Sequence, residues 1–385
     1  MNKNISHIKN CFGCGVCVIA CKRQIIKLKL SRTGFYQPYI VTPDQCTNCG
    51  LCLKVCSKYN RGLSLVSDKI HPFVGWSNNH IVRYNCSSGG VTYEISKYLL
   101  QQGYKICACR YNASRVRAEH FLVSNNEELV DSIGSKYLQS YTVDALLQLN
   151  KKQKYLFIGT PCQVDSVRRL VKLYKCESNF VFVDFFCHGV PSYKLWYKYL
   201  NQYMPNGHTF ASWRNKTHGW QDSWCMVIDD KMSQIDLYNL KNKIEFAHYF
   251  SFRSKNDSFF WMFLSNLCLN KSCYSDCKYK YNNSSADIRV GDCWGKTYEG
   301  EKDGVNAILA MTEIGNNLLQ KIDCKLIQQP IGVVSEGQIK QIIKRPWLYS
   351  IAMILLSIPL FKISQIHSLL FKINILSSRI KKFFQ

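Results

Sequence analysis

Residues 11–21 read CFGCGVCVIAC and residues 46–56 read CTNCGLCLKVC, so one spacing, C-x2-C-x2-C-x3-C, occurs twice, with a glycine after each second cysteine. Thiolates at steps of three wrap a loop around one 4Fe-4S cube, and the fourth cysteine of such a run reaches the neighbouring cube. On that rule Cys11, Cys14, Cys17 and Cys56 hold one cluster, while Cys46, Cys49, Cys52 and Cys21 hold the other. Gly13, Gly15 and Gly50 let the backbone approach and donate N–H bonds to sulfur. Zinc is the weaker reading, because its sites pair two short cysteine knuckles set well apart in the chain. Proline often follows the fourth cysteine of such a run; Lys22 and Ser57 stand there instead, which alters the local turn more than the ligation.

Two clusters that pass single electrons need a terminus. A flavin is the usual joint, since it trades single electrons on one side and a hydride on the other. The elements beyond the cysteine runs must position it. Gly34, Pro38 and Pro43 punctuate strand-like aromatics between the runs, and residues 60–85 read as a linker with a leading strand. From Cys86 to about Met204 the pattern is α/β. GVTYEISKYLLQQG predicts a helix and YKICACRY a buried strand. KYLFI (154–158) feeds a Gly-Thr-Pro turn and then a basic helix; FVFVDFF (180–186) feeds a Gly-Val-Pro turn and another helix. Apolar strands ending in such turns predict a mostly parallel, two-sided sheet with ligands at the carboxyl ends of its strands. Residues 207–300 are irregular and aromatic-rich, and 303–322 predict a last strand and helix.

Hydrophobic residues at 46% and charged residues at 20% describe a globular chain. The start, MNKNISHIKNC, has no apolar signal region, so a cytoplasmic location is expected, where twenty cysteines read as metal ligands or redox groups rather than a disulfide scaffold. The net charge of +24 matches nucleic acid, an anionic membrane or an acidic partner, but no recognition helix, zinc-finger spacing or single-strand motif is present, and no nucleic acid is expected. A solvated basic surface is the plainer account. After Glu336 the chain carries no acid, yet holds Lys340, Lys344, Arg345, Lys362, Lys372, Arg379, Lys381 and Lys382. Within that tail WLYSIAMILLSIPLF is too short to span a bilayer and is broken by Pro359. It fits an interfacial helix at the inner membrane face; the alternative is a helix packed on the domain or on a partner.

Read in order, SSGGV (87–91), GSKYLQS (134–140), GTPCQVDSVRRL (159–170), FCHGVPSYKLW (186–196), SCYSDCKYK (272–280) and ADIRVGDCWG (286–295) resemble the beta subunit of coenzyme F420 hydrogenase/dehydrogenase. They are most similar to bacterial members with an N-terminal dicluster module, often linked to polysaccharide biosynthesis. The resemblance reaches about residue 335. It implies residues 1–62 as the ferredoxin-like module, 63–150 and 151–335 as the two parts of one α/β redox domain, and 336–385 as the tail outside it. It also implies FAD. Ser88, Gly89 and Gly90 match a Ser-Gly-Gly turn whose backbone N–H groups can face a phosphate, or which simply starts a helix. In Gly134, Ser135, Lys136 and Tyr137 the lysine could pair with pyrophosphate and the tyrosine cover a ring; a surface loop is the alternative.

A third cluster is implied for Cys162, Cys187, Cys273 and Cys277, against buried structural cysteines or zinc. The family spaces the last pair as C-x2-C, whereas Tyr274, Ser275 and Asp276 intervene here; Cys268 is a nearby substitute, and Cys293 stands where an aromatic is usual. His188 is a candidate proton donor, though a turn-fixing histidine is the stronger reading. Asp287 and Asp292 could bind ribose, orient the ring or cap loop amides. The expectation is an iron–sulfur flavoprotein oxidoreductase fed by a ferredoxin-type donor, acting on a small-molecule or glycan substrate. The alternative is a non-catalytic electron-transfer subunit serving a separate enzyme.

Overall fold

Apolar runs bounded by glycine and proline become the strands of one sheet. The computed structural model describes residues 3–234, 247–251 and 257–383, with side chains to residue 377. In the N-terminal module, strands β1 (Ile26–Leu30) and β2 (Tyr36–Ile40) pair antiparallel, and each cysteine run closes into a short helix, α1 (Val16–Ala20) and α2 (Leu51–Lys54). Gly15 and Gly50 cap these helices at φ +72° and +75°, a left-handed conformation that favours glycine.

The main sheet has eight strands: β3 (His71–Ser77), β4 (Lys105–Asn112), β5 (Arg117–Val123), β6 (Tyr155–Ile158), β7 (Phe180–Phe185), β11 (Ile288–Asp292), β12 (Asn306–Ala310) and β13 (Cys324–Gln328). Their order is β13-β3-β12-β11-β7-β6-β4-β5. The centre, β11-β7-β6-β4, is parallel as the strand–turn–helix pattern predicts. Both flanks are antiparallel: β4 and β5, and β11 and β12, are consecutive strands that fold back on each other, while β3 from early in the chain inserts between β12 and β13. The architecture is α/β. Strands β8 (Phe210–Ser212), β9 (Val227–Asp229) and β10 (Tyr249–Phe250) form a small separate sheet within the irregular region. Part of that region, residues 235–246 and 252–256, lies outside the described residues.

Strand alternation sends side chains to two cores. Leu156, Val181 and Val183 pack with Val91, Ile95 and Leu99 of helix α3 (Val91–Gln101) on one face. Tyr155, Phe157 and Phe182 pack with Val164, Val167 and Leu170 of helix α4 (Pro161–Leu173) on the other. A third, aromatic core gathers helices α5 (Tyr193–Tyr203) and α6 (Ser258–Leu264) with Leu28, Phe35 and Tyr36 of the N-terminal module. Helix α7 (Lys271–Ser275) follows, and the tail forms α8 (Tyr349–Leu355) and α9 (Ile363–Phe383). One side of the tail joins this core through Leu348, Tyr349, Ala352, Met353, Leu356, Ile363, Ile366 and Leu370. The packed-helix alternative therefore holds for that side. Among the described residues no helix is long and apolar enough to cross a membrane.

Candidate functional site: paired thiolate quartets, a third cysteine group and a deep cavity

Sulfurs separated in sequence lie near one another in the N-terminal module. Burial holds the Cys17 thiol well above its ordinary value, and the nearby sulfurs of Cys14, Cys11, Cys56 and Cys52 push it the same way. Cys52 belongs to the second group and is raised by burial, with Cys49 and Cys21 beside it; Cys46 packs against that group. The first quartet is buried, whereas Cys49 is exposed. Gly13 N–H donates to Cys11 Sγ at 3.3 Å, and Asn4 Nδ2 lies 3.5 Å from Cys46 Sγ. Among the described residues no three His, Cys, Asp or Glu groups converge tightly enough to hold a single metal ion. In a cube each thiolate binds a different iron, whereas at a zinc site the thiolates share one ion at about 2.3 Å.

The module is bolted to the α/β domain through its own ligand loop. Gln139 Nε2 donates to Phe12 O at 2.7 Å and Gln139 Oε1 accepts Tyr36 N–H at 2.6 Å. Thr142 Oγ1 donates to Cys14 O at 2.7 Å, and Asn270 Nδ2 to Cys11 O at 3.0 Å. A Cβ on Gly13 would stand 2.2 Å from Gln139 Nε2, so the close approach requires glycine there as well as the φ of +73°.

Cys162, Cys187, Cys273 and Cys277 line one small cavity, together with Thr160, Gln139, Asn270 and Lys280. Each arrives from a different local device. Cys162 opens α4, where Gln163 Oε1 accepts the Thr160 N–H at 2.9 Å; Cys187 follows the end of β7; Cys273 sits in α7 and Cys277 just beyond it. Burial pushes Cys187 up to about 11 and Cys273 up to about 12, with the Lys280 ammonium pulling both back. Cys162 also feels Cys14, so this group adjoins the first quartet. Cys268 does not line this cavity and lies in the aromatic core. Cys293 is buried in the core around Trp220 and Val305.

Beyond this group lies a cavity of about 490 Å³ at the carboxyl ends of β6, β7 and β11. Ser88, Gly90, Gly134, Ser135, Lys136, Tyr137, His188 and Asp292 line it; Thr160, Gln163, Cys187 and Lys280 line both cavities. Ser135 N–H donates to Ser87 Oγ at 2.9 Å and joins the two glycine loops. Gly90 caps α3 at φ +85°. Gly134 has φ +84° with open space where a Cβ would be. Gly89 stands behind the wall, where a Cβ would lie 2.6 Å from Gly75 O. Ser88 Oγ donates to Val305 O at 2.8 Å, which ties that loop to β12.

Lys136 lines the cavity, but its charge is spoken for. Its ammonium donates to the carbonyls of Asp131, Ser132 and Ile133, which engages all three donors, and burial pushes it down to about 8. Tyr137 packs against Trp224 and Phe263 at 5.1 and 5.2 Å between centroids. His188 Nε2 lies 2.7 Å from Asn266 Oδ1, and burial pushes the ring down to about 4. Asn266 thus holds the His188 ring beside the turn that carries Cys187.

Asp287 lies away from the cavity wall: it accepts from Arg168 at 2.9 Å and from Phe182 N–H at 2.8 Å. Asp292 does line the wall and accepts from Arg214 at 2.8 Å and Trp220 Nε1 at 2.7 Å. Sequence reasoning missed Gln139, Asn270 and His120. The Gln139 and Asn270 partners stand 127 and 259 residues away in sequence, and only the nearness of Gln139 to the GSKYLQS motif could have flagged one of them. His120 lines the cavity with Nε2 on Ile158 O at 2.8 Å.

The fold and the thiolate quartets define an iron–sulfur electron-transfer protein of α/β architecture. Residues 10–59 match the 4Fe-4S dicluster domain. Residues 73–148 and 152–329 match the N-terminal and C-terminal parts of the coenzyme F420 hydrogenase/dehydrogenase beta subunit. The chain belongs to that beta-subunit family, whose members serve oxidoreductase complexes. Among solved structures it is similar to a chain of the F420-reducing [NiFe] hydrogenase complex from Methanosarcina barkeri in a xenon derivative. The identity is 15% and the TM-score 0.48, over 71% of this chain and 89% of that one. No curated protein registers as a relative.

Proposed function

We propose that the chain relays electrons from a reduced ferredoxin-type donor, through its N-terminal quartets and a third cluster on Cys162, Cys187, Cys273 and Cys277, to FAD in the large cavity. The observation that carries this reading is the shared wall: Cys187, Thr160, Gln163 and Lys280 border both the third cysteine group and the cavity. A volume of about 490 Å³ suits a cofactor-sized ligand. The start of α3 and the Gly134 loop line the cavity where a phosphate would lie, with Val91 N–H held by Asn306 and Ser135 N–H by Ser87, and the Lys136 ammonium is engaged elsewhere. Tyr137 and Trp294 supply aromatic surface for a planar ring. When bound there, FAD supplies the change from single electrons to a hydride equivalent.

His188, neutral and held by Asn266, positions the turn that carries Cys187. Asp292 holds the aromatic wall through Arg214 and Trp220. The donor meets the exposed Cys49 side of the module. The substrate, carried by the motif resemblance alone, is a nucleotide- or lipid-linked sugar of cell-surface polysaccharide assembly. The test is flavin uptake by anaerobically purified chain, followed by absorbance. FAD should bind with about one flavin per chain and be bleached by reduced ferredoxin. Intact clusters with no flavin uptake would instead support a non-catalytic electron-transfer subunit.

A further inference from the structure

Trp347, Ile351, Ile354 and Ile358 follow the i, i+4, i+7 spacing of one helical face. They run along α8 and its two ends, on the side opposite the residues it buries. Trp347 is 54% exposed and Ile354 61%, and the corner after the helix adds Leu360 at 90%. Soluble surfaces carry scattered apolar residues, but a contiguous stripe of large ones marks a contact. The corner is held in place from below. Lys198 Nζ donates to Phe361 O at 2.7 Å and to Pro359 O at 3.2 Å, and Lys194 bonds Ser357 Oγ. The buried side of α8 is pinned as well, by the edge-on packing of Tyr349 against Tyr274 at 5.5 Å between ring centroids. The stripe is thus presented on a fixed support.

The charges around it name the occupant. Lys344 and Arg345 precede the stripe, Lys362 follows it, and no acid occurs after Glu336. We propose that this face docks on an anionic lipid bilayer, with Trp347, Ile354 and Leu360 entering the headgroup boundary and the flanking cations meeting lipid phosphates. The docking is shallow, because no described helix can cross a membrane. It does not depend on the flavin reading.

The test is co-sedimentation of anaerobically purified full chain with phosphatidylcholine vesicles, with and without phosphatidylglycerol. Binding should need the anionic lipid and weaken with salt. Ile354→Asn and Leu360→Asn should each cut it by about tenfold or more, and Lys344→Ala and Arg345→Ala by about fivefold each. These side chains are exposed, so iron content and the visible spectrum should stay unchanged, which separates lost docking from lost folding. Binding that ignores anionic lipid or is untouched by the substitutions would overturn the proposal. A doubled mass in solution that Leu360→Asn returns to monomer would also overturn it, by making a second copy the occupant.

Discussion

A sulfur that accepts a hydrogen bond spreads the charge that reduction adds, which raises the potential of its cluster. Ser166 Oγ lies 3.3 Å from Cys14 Sγ and accepts the Ser57 N–H at 3.2 Å, so its own proton is left for the Cys14 thiolate. Ser166→Ala should lower the midpoint of the first cluster by tens of millivolts in a titration followed by paramagnetic resonance; an unmoved midpoint would remove Ser166 from this role. His120 gives a second prediction. Burial pushes it down to about 4 from an ordinary 6.5. As pH falls below 6.5 the unfolded chain takes up this proton and the folded chain does not, so stability present above 6.5 is lost toward 4. Between pH 7 and 5 the wild type should lose about 2 kcal/mol that His120→Phe does not. Equal acid slopes in urea unfolding would show that His120 is not the group responsible.

Strands β7 and β11 carry a fully buried ion pair beside the site. Arg289 meets both oxygens of Asp184 at 2.7 Å, and Arg289 Nη1 also holds Tyr279 O and Tyr281 O, which fixes the segment after Cys277. Removing one partner strands the other charge, so Asp184→Ala should cost about 3–5 kcal/mol in chemical unfolding. A loss within experimental error would mean that the pair does not hold this segment. The strands on either side of the pair are partly legible in the sequence. KYLFI and FVFVDFF announce β6 and β7 because buried parallel strands read as apolar runs. The antiparallel flanks β5 and β13 are not legible: RAEHFLV and CKLIQ mix charge with apolar residues, and β13 pairs with β3, far back in the chain. The N-terminal quartets are legible because cluster ligation is written in local spacing. The approach of Cys162, Cys187, Cys273 and Cys277 to one cavity depends on the folded sheet, and the burial of one side of the tail depends on a core it meets only after folding.

Across the whole molecule the groups follow one another inward. The second quartet carries exposed Cys49; the first quartet is buried beside it; Cys162 feels Cys14; and Cys187 borders the large cavity. Gln139, Thr142 and Asn270 keep the N-terminal module seated so that this order holds. Iron and sulfide counts on anaerobically reconstituted protein test it most directly. Wild type should hold about twelve irons per chain, and Cys187→Ser about eight. About eight irons in the wild type, unchanged by Cys187→Ser, would contradict a third cluster between the N-terminal module and the cavity.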